Sequence, residues 1–296
     1  DEVLRRAERS GTEVLRPAKV VDVQLGRPES VVHLESRSDD RAEPVRREVR
    51  ARWVVDGTGR TGFLARKLDL RERLADHPTS AMWGRWRGAL DMDEYFRERG
   101  PRGPRGMVAS RRMTTNHFCG YGSWTWVIPL PGGETSIGVV YDRRLAFPRT
   151  GDGCDKSPRE TYLDYLASTP GLRELIDGAE LVEGDFTSYR DLPYYARRYA
   201  GDGWALVGDA ASFLDPFYSP GLDHLAMSAS ATVRLIAKEL AGELDERALA
   251  AALEEHNGMF ARSYHRWFDG LYRNKYEILG DAELTAAAFR LDTSLY

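Results

Sequence analysis

With 296 residues, 42% of them hydrophobic and 30% charged, the chain has enough apolar material for one large domain or two smaller ones. A formal net charge of −4 leaves no basic footprint for nucleic acid, and no apolar run reaches the length of a membrane span. The two cysteines, Cys119 and Cys154, stand in no metal-ligand spacing and make no disulfide framework, so the expectation is a reducing, cytoplasmic setting without a bound metal.

Residues 1–10 read as an amphipathic helix with Val3, Leu4 and Ala7 on one face. The chain opens on Asp1 inside that pattern and shows no signal peptide, and the expectation is that a further segment precedes it in the whole protein. "KVVDVQL" and "SVVHLES" are Val-rich strands, "RSDDRAEPVRRE" a charged turn, and "VRARWVVDGTGRTGFLARKL" a strand, a Gly-rich turn and a short helix. The middle of the chain differs in texture. It carries most of the tryptophans in strand-like pieces: "SAMWGRWRGAL", "FCGYGSWTWVIPL" and "ETSIGVVYD", the last two joined by a hairpin loop "LPGGE". "ERGPRGPRGM" reads as an exposed basic loop. "SPRETYLDYLASTPGLRELIDGA" reads as two short helices, with a start signal at Ser157 and Pro170 between them. Beyond residue 200 come a short buried strand "WALVGD", a helix over 221–241 with Leu225, Ala229, Val233 and Ile236 in register, and helical chain over 245–279. Along the last segment Leu249, Leu253, Phe260, Tyr264 and Phe268 share a stripe.

This order predicts an α/β chain of two intermixed parts. Residues 1–78 and 191–296 would form a nucleotide-binding part that ends in helices, and 79–190 an inserted, mainly antiparallel β-sheet part for a substrate.

Three motifs carry chemistry. In "WVVDGTGRTGFL" an apolar strand runs into Asp56, Gly57, Thr58 and Gly59 before a helix; glycines let the backbone come close to a ligand, and a helix start favours an anion. A tight strand-to-helix turn is the plain alternative. In "WALVGDAA" a strand buried on both faces ends at Gly208 and Asp209, the carboxyl end where open α/β sheets bind ligands, and a carboxylate there suits sugar hydroxyls. The alternative is a helix cap. In "DPFYSPGLDH" Pro216 and Pro220 stiffen a loop that passes through Ser219 to Gly221 and Leu222, where first-turn N–H groups lack internal partners and the helix dipole favours negative charge.

Taken in this order, together with "WTWVIP" over 124–129, these motifs resemble those of FAD-dependent monooxygenases with a glutathione-reductase-like fold, and among them the flavin-dependent halogenases. The resemblance covers most of the chain. It implies a three-layer FAD-binding domain, incomplete at its N-terminal side, with an inserted β-sheet domain. It also implies FAD held by Asp56, Gly57, Gly59, Gly208, Asp209, Pro216, Ser219, Pro220, Gly221 and Leu222. Trp124 and Trp126 alternate on a strand and share a face; the resemblance places them near flavin and substrate, while core filling is equally open. Tyr218 and His224 are candidates for a catalytic role, and His117, Cys119 and Tyr121 for the substrate side, each with a structural role as the stronger alternative.

Two departures qualify the resemblance. The family's opening strand with its G-x-G-x-x-G turn has no counterpart here, and the lysine that its halogenases use would lie in the same preceding segment, so the chain alone is expected to hold FAD poorly. The halide of those enzymes is held by the backbone N–H groups of two residues that here are Pro220 and Gly221, and proline has none. The leading expectation is therefore an FAD-dependent oxidoreductase that oxygenates a small or carrier-bound organic substrate, most simply an aromatic one, through reduced flavin and O2. NADH or NADPH would be the reductant, acting directly or through a separate flavin reductase. A true halogenase is the runner-up. An isoprenoid-type reductase and a non-catalytic module that lost FAD are further alternatives.

Overall fold

The computed structural model describes residues 2–37, 43–99, 110–147 and 156–295. The chain divides into two compact units, each built from separate stretches.

The first unit takes residues 1–72, 195–213 and 219–263. It opens with the expected helix, Glu2–Arg9, followed by an antiparallel three-stranded sheet of Ala18–Gln24, Ser30–Ser36 and Val45–Ala51 in that order. The third strand corrects the sequence reading, which ran a charged turn across 37–48. Its side chains are almost all exposed, so it shows no apolar alternation, yet its backbone pairs with Ser30–Ser36 over its full length. Charged side chains suit such an edge. The strand Val54–Asp56 then lies parallel to Trp204–Leu206, which is buried throughout and flanked on its other side by Ala200–Gly201. Two helices cover this unit: Gly221–Leu240, and Glu246–Trp267 as far as Ser263. The Asn257 side chain accepts from the amides of Tyr199 and Ala200 and donates to the Ala200 carbonyl, which ties the second helix to the strand.

The face of Gly221–Leu240 also needs correction. The expected row was Leu225, Ala229, Val233 and Ile236, but the buried residues are Ser228, Thr232 and Leu235, and Leu225 and Val233 are exposed. The reason is close approach to backbone. Ser228 Oγ accepts from Gly208 N (2.9 Å) and donates to His224 O, so a small polar residue faces inward where a leucine was expected.

The second unit takes residues 73–194, 214–218 and 264–296. Its sheet runs Glu180–Leu181, Thr79–Arg87, Glu134–Asp142, Ser123–Pro129 and Asn116–Gly120, antiparallel throughout, and Thr187–Arg190 also pairs with Thr79–Arg87. One face buries Met82, Trp86, Val127, Ile137 and Val139 against Tyr162, Leu166, Leu172 and Leu175 of the helices Pro158–Ser168 and Pro170–Leu175. Ser157 starts the first of these with a full capping box to Glu160, as its sequence signal implies. Two helices have no counterpart in the sequence reading. Met92–Arg99 buries Met92 and Tyr95 and is capped by Asp91; Ala282–Leu295 is capped by Asp281. Residues 214–218 and 264–296, read from the sequence with the nucleotide-binding part, group with the sheet unit, where Phe217, Tyr264, Phe268, Tyr272 and Tyr276 are buried. From residue 100 on, the loop "ERGPRGPRGM" lies outside the described residues, as does Cys154.

Candidate functional site

In the first unit the two acidic motifs meet at the carboxyl ends of the parallel strands. Leu206 is registered on Asp56, and Val207 N donates to the Asp56 carbonyl (3.0 Å). Asp56 is only 4% exposed. Its Oδ1 accepts from Thr58 N at 2.8 Å and its Oδ2 from Leu64 N at 2.7 Å, so the carboxylate shapes the turn and seats the helix Phe63–Lys67. Both oxygens are engaged by backbone, which is the plainer of the two sequence readings. Gly59 (φ 60°) takes the left-handed conformation, and a Cβ placed there would meet open space. Gly57 has ordinary room beside Val207.

Gly208 opens a single 3-10 turn to Ala210 that carries Asp209. At φ 55° position 208 favours glycine, and a Cβ there would press on the Leu225 tip (2.8 Å from Cδ1) of the helix Gly221–Leu240. Asp209 is half-buried. Burial pushes its carboxyl above the usual range, and the Arg60 guanidinium works in the opposite direction.

The start of Gly221–Leu240 is built under strain. Ser219 holds φ 55°, a left-handed conformation uncommon for a residue with a side chain, directly before a proline. Pro220 (φ −72°, ψ −7°) is the cap residue, and no side chain caps the helix. Gly221 faces open space, and Leu222 is 79% exposed. His224 is explained by packing. Its Nε2 bonds Ser212 Oγ at 2.8 Å, its ring meets Tyr199 and Phe260 edge-on, and burial lowers its pKa, which favours the neutral ring.

In the second unit, Pro216 and Tyr218 belong to a 3-10 turn whose centre, Phe217, is buried. His117 stacks on Phe217 with ring centroids 5.4 Å apart and lies 5.0 Å from Trp124. Trp124 and Trp126 share a face, as alternation requires; Trp124 is 1% exposed and also meets Phe217 edge-on. Cys119 touches solvent, yet its apolar surroundings push the thiol up to about 11. Tyr121 is exposed. The Tyr218 hydroxyl donates to Asp292, which also pairs with the ammonium of buried Lys275.

Sequence reasoning missed a buried polar chain here. Trp124 Nε1 donates to the Tyr276 hydroxyl (3.1 Å), which donates to Asp215 Oδ2 (2.6 Å), while Phe217 N donates to Asp215 Oδ1 (3.0 Å). The available signal was an aspartate set between Leu214 and Pro216 in an apolar run. No group of acidic, histidine or cysteine side chains suited to a metal ion occurs among the described residues, and no helix among them is long and apolar enough to cross a membrane.

The family model described as tryptophan halogenase matches residues 1–272. The chain belongs to the tryptophan halogenase family. Among the relatives of this family member is flavin-dependent halogenase armH1 of Armillaria mellea, 29% identical over 276 residues that cover 90% of this chain and 49% of armH1. Tryptophan 2-halogenase of Chondromyces crocatus is 28% identical, over 90% of this chain and 47% of its own. The chain thus spans about half the length of the curated relatives it matches. The fold agrees with that of halogenase PltM, solved in complex with phloroglucinol and FAD: TM-score 0.77 at 20% identity, over 99% of this chain and 55% of PltM. Asp56, Asp209, Gly221 and both signature tryptophans fall inside the matched stretch of this halogenase-family chain, whereas Lys275, Tyr276 and Asp292 lie beyond it.

Proposed function

We propose that the chain serves an FAD-dependent oxidoreductase that oxygenates an electron-rich organic substrate, with NADH or NADPH as the source of electrons. FAD, when bound, supplies a reducible ring that passes electrons to O2. Family membership supports the cofactor, and so does the set of groups in the first unit. Asp209 is a half-buried carboxylate suited to accept from ribose or ribityl hydroxyls. Gly59 and Gly221 leave their surroundings open to close approach, and the start of a 20-residue helix favours the negative charge of a reduced ring. Asp56 supports this set indirectly, by fixing the turn.

The observation that carries oxygenation over halogenation is Pro220. It occupies the cap position of that helix and brings no N–H to an anion, so a halide there would lean on Gly221 with one donor fewer. Halogenation is the second reading, favoured by the names of the relatives. The deciding experiment supplies the protein carrying this sequence with FAD, a flavin reductase, NADH, O2, bromide and phloroglucinol as probe, and weighs the products by mass spectrometry. The expected product gains oxygen and no bromine. A bromine isotope pair in the product would reverse the order of the two readings.

A companion variant tests the proline itself. Pro220→Thr restores an N–H, and the bromide affinity of the FAD-loaded protein should rise about tenfold, the worth of one hydrogen bond to a charged group. An unchanged affinity would remove Pro220 from the case.

A further inference from the structure

The sheet of the second unit carries a continuous row of oxidisable rings on the face opposite its aliphatic core. Register sets Trp83, Gly138 and Trp126 in line across three neighbouring strands. Gly138 is a seat: a Cβ there would clash with the Trp126 ring, so the indole lies down over the middle strand. Trp126 and Trp83 thereby come to 6.1 Å between ring centroids. On the far side of Trp83, Tyr189 stands at 5.3 Å. On the other side of Trp126, Trp124 stands at 5.8 Å, and its Nε1–H runs into the Tyr276–Asp215 hydrogen bonds described above. Exposure is graded. Tyr276 and Trp124 are each 1% exposed, Trp126 and Trp83 are partly covered, and Tyr189 is 45% exposed.

We infer that this row is a hole-transfer relay, which carries a one-electron oxidation from the buried Trp124–Tyr276 pair out to solvent at Tyr189. Indole and phenol rings are among the side chains that give up one electron most readily, and rings at these separations meet at their edges. A phenol loses an electron readily only if its proton leaves too, and the Asp215 carboxylate stands ready to take it. An oxygen-derived radical oxidant takes one electron from Tyr276, whose O–H bond breaks as the proton passes to Asp215. One electron from Trp124 and the same proton restore Tyr276. The vacancy then moves through Trp126 and Trp83 to Tyr189, whose proton goes to water. A thiol or ascorbate in solution returns one electron and one proton to the Tyr189 radical and is itself oxidised, so the protein ends unchanged. The relay rests on the geometry of the second unit alone and does not depend on the reaction proposed above.

The other face of the sheet supplies an internal control. Trp86 donates from Nε1 to Tyr162 (2.9 Å), and both are buried in the aliphatic core. The test is pulse radiolysis of the full chain with azide radicals, which oxidise indoles. Indolyl and tyrosyl absorbance are followed in time, and a nitroso spin trap with peptide mass spectrometry marks where radicals reach the surface. Indolyl decay is expected to be first order, independent of protein concentration, and matched by tyrosyl growth, with Tyr189 labelled well above the more exposed Tyr121. In Trp83→Phe the labelling of Tyr189 should fall to that of Tyr121 while oxidised Trp124 and Trp126 accumulate, and Trp86→Phe should leave it unchanged. Equal labelling of Tyr189 in Trp83→Phe and the parent would overturn the relay. Should Trp83→Phe not fold, the surface variant Tyr189→Phe decides: a longer-lived indolyl signal upholds the relay, and an unaltered lifetime ends it.

Discussion

Lys275→Met is expected to destabilise the sheet unit by about 3–5 kcal/mol, the usual cost of removing one partner from a buried ion pair. Lys275 is 8% exposed and Asp292 is 4% exposed. A single oxygen, Asp292 Oδ2, takes both the Lys275 ammonium and the Tyr218 hydroxyl, and the ammonium lies over the Tyr218 ring. With the ammonium gone, a buried carboxylate keeps one neutral donor and no countercharge. It must then protonate, draw in water or release the helix Ala282–Leu295 that carries it. Urea unfolding measures the loss, and amide exchange along that helix locates it. The double variant Lys275→Met with Asp292→Leu should recover most of the stability, because it removes the stranded charge together with the pair. A loss below about 1 kcal/mol in the single variant, the range of solvent-exposed pairs, would mean that water screens this one.

Much of the architecture is legible in the sequence because it is periodic. Alternation along "WTWVIP" puts Trp124 and Trp126 on one face, the continuous apolar run at Trp204–Leu206 marks a strand buried on both sides, and Ser157 with Glu160 marks a helix start. What escaped reading is what periodicity does not encode. The edge strand Val45–Ala51 is held by backbone pairing beneath charged side chains. Gly221–Leu240 turns Ser228 inward because its neighbour there is the Gly208 amide rather than a side-chain layer. Asp56 carries two sequence readings, ligand-holding and turn-shaping, and only the structure shows that both its oxygens accept amides of its own loop. The Lys275–Asp292 and Asp215–Tyr276 partners stand 17 and 61 residues apart, and nothing local announces either bond.

Asp215 sets up the second large effect, which is a dependence on pH. Complete burial pushes its carboxyl up to about 6, with the hydrogen bonds from Tyr276 and Phe217 pulling it partly back. In the unfolded chain the group returns to its ordinary value of 3.8. The folded state therefore holds this proton more tightly than the unfolded state does. Its stabilising share is fully present below pH 3.8, is lost as pH rises through about 6, and stays lost above that. A shift of this size corresponds to about 3 kcal/mol. Asp215→Asn keeps an oxygen for Phe217 N and has no proton to lose. Stability measured from pH 4 to pH 8 should then show the parent falling relative to the variant up to about pH 6–7, with a constant gap beyond. Asp22, Asp76, Asp93, Glu160 and Asp185 act in the opposite direction, because their partners hold each of them below the ordinary range. They are common to both proteins and cancel in the difference. A gap that does not change between pH 4 and pH 7 would mean that Asp215 is ionised throughout, with its charge balanced by Tyr276 and Phe217 alone.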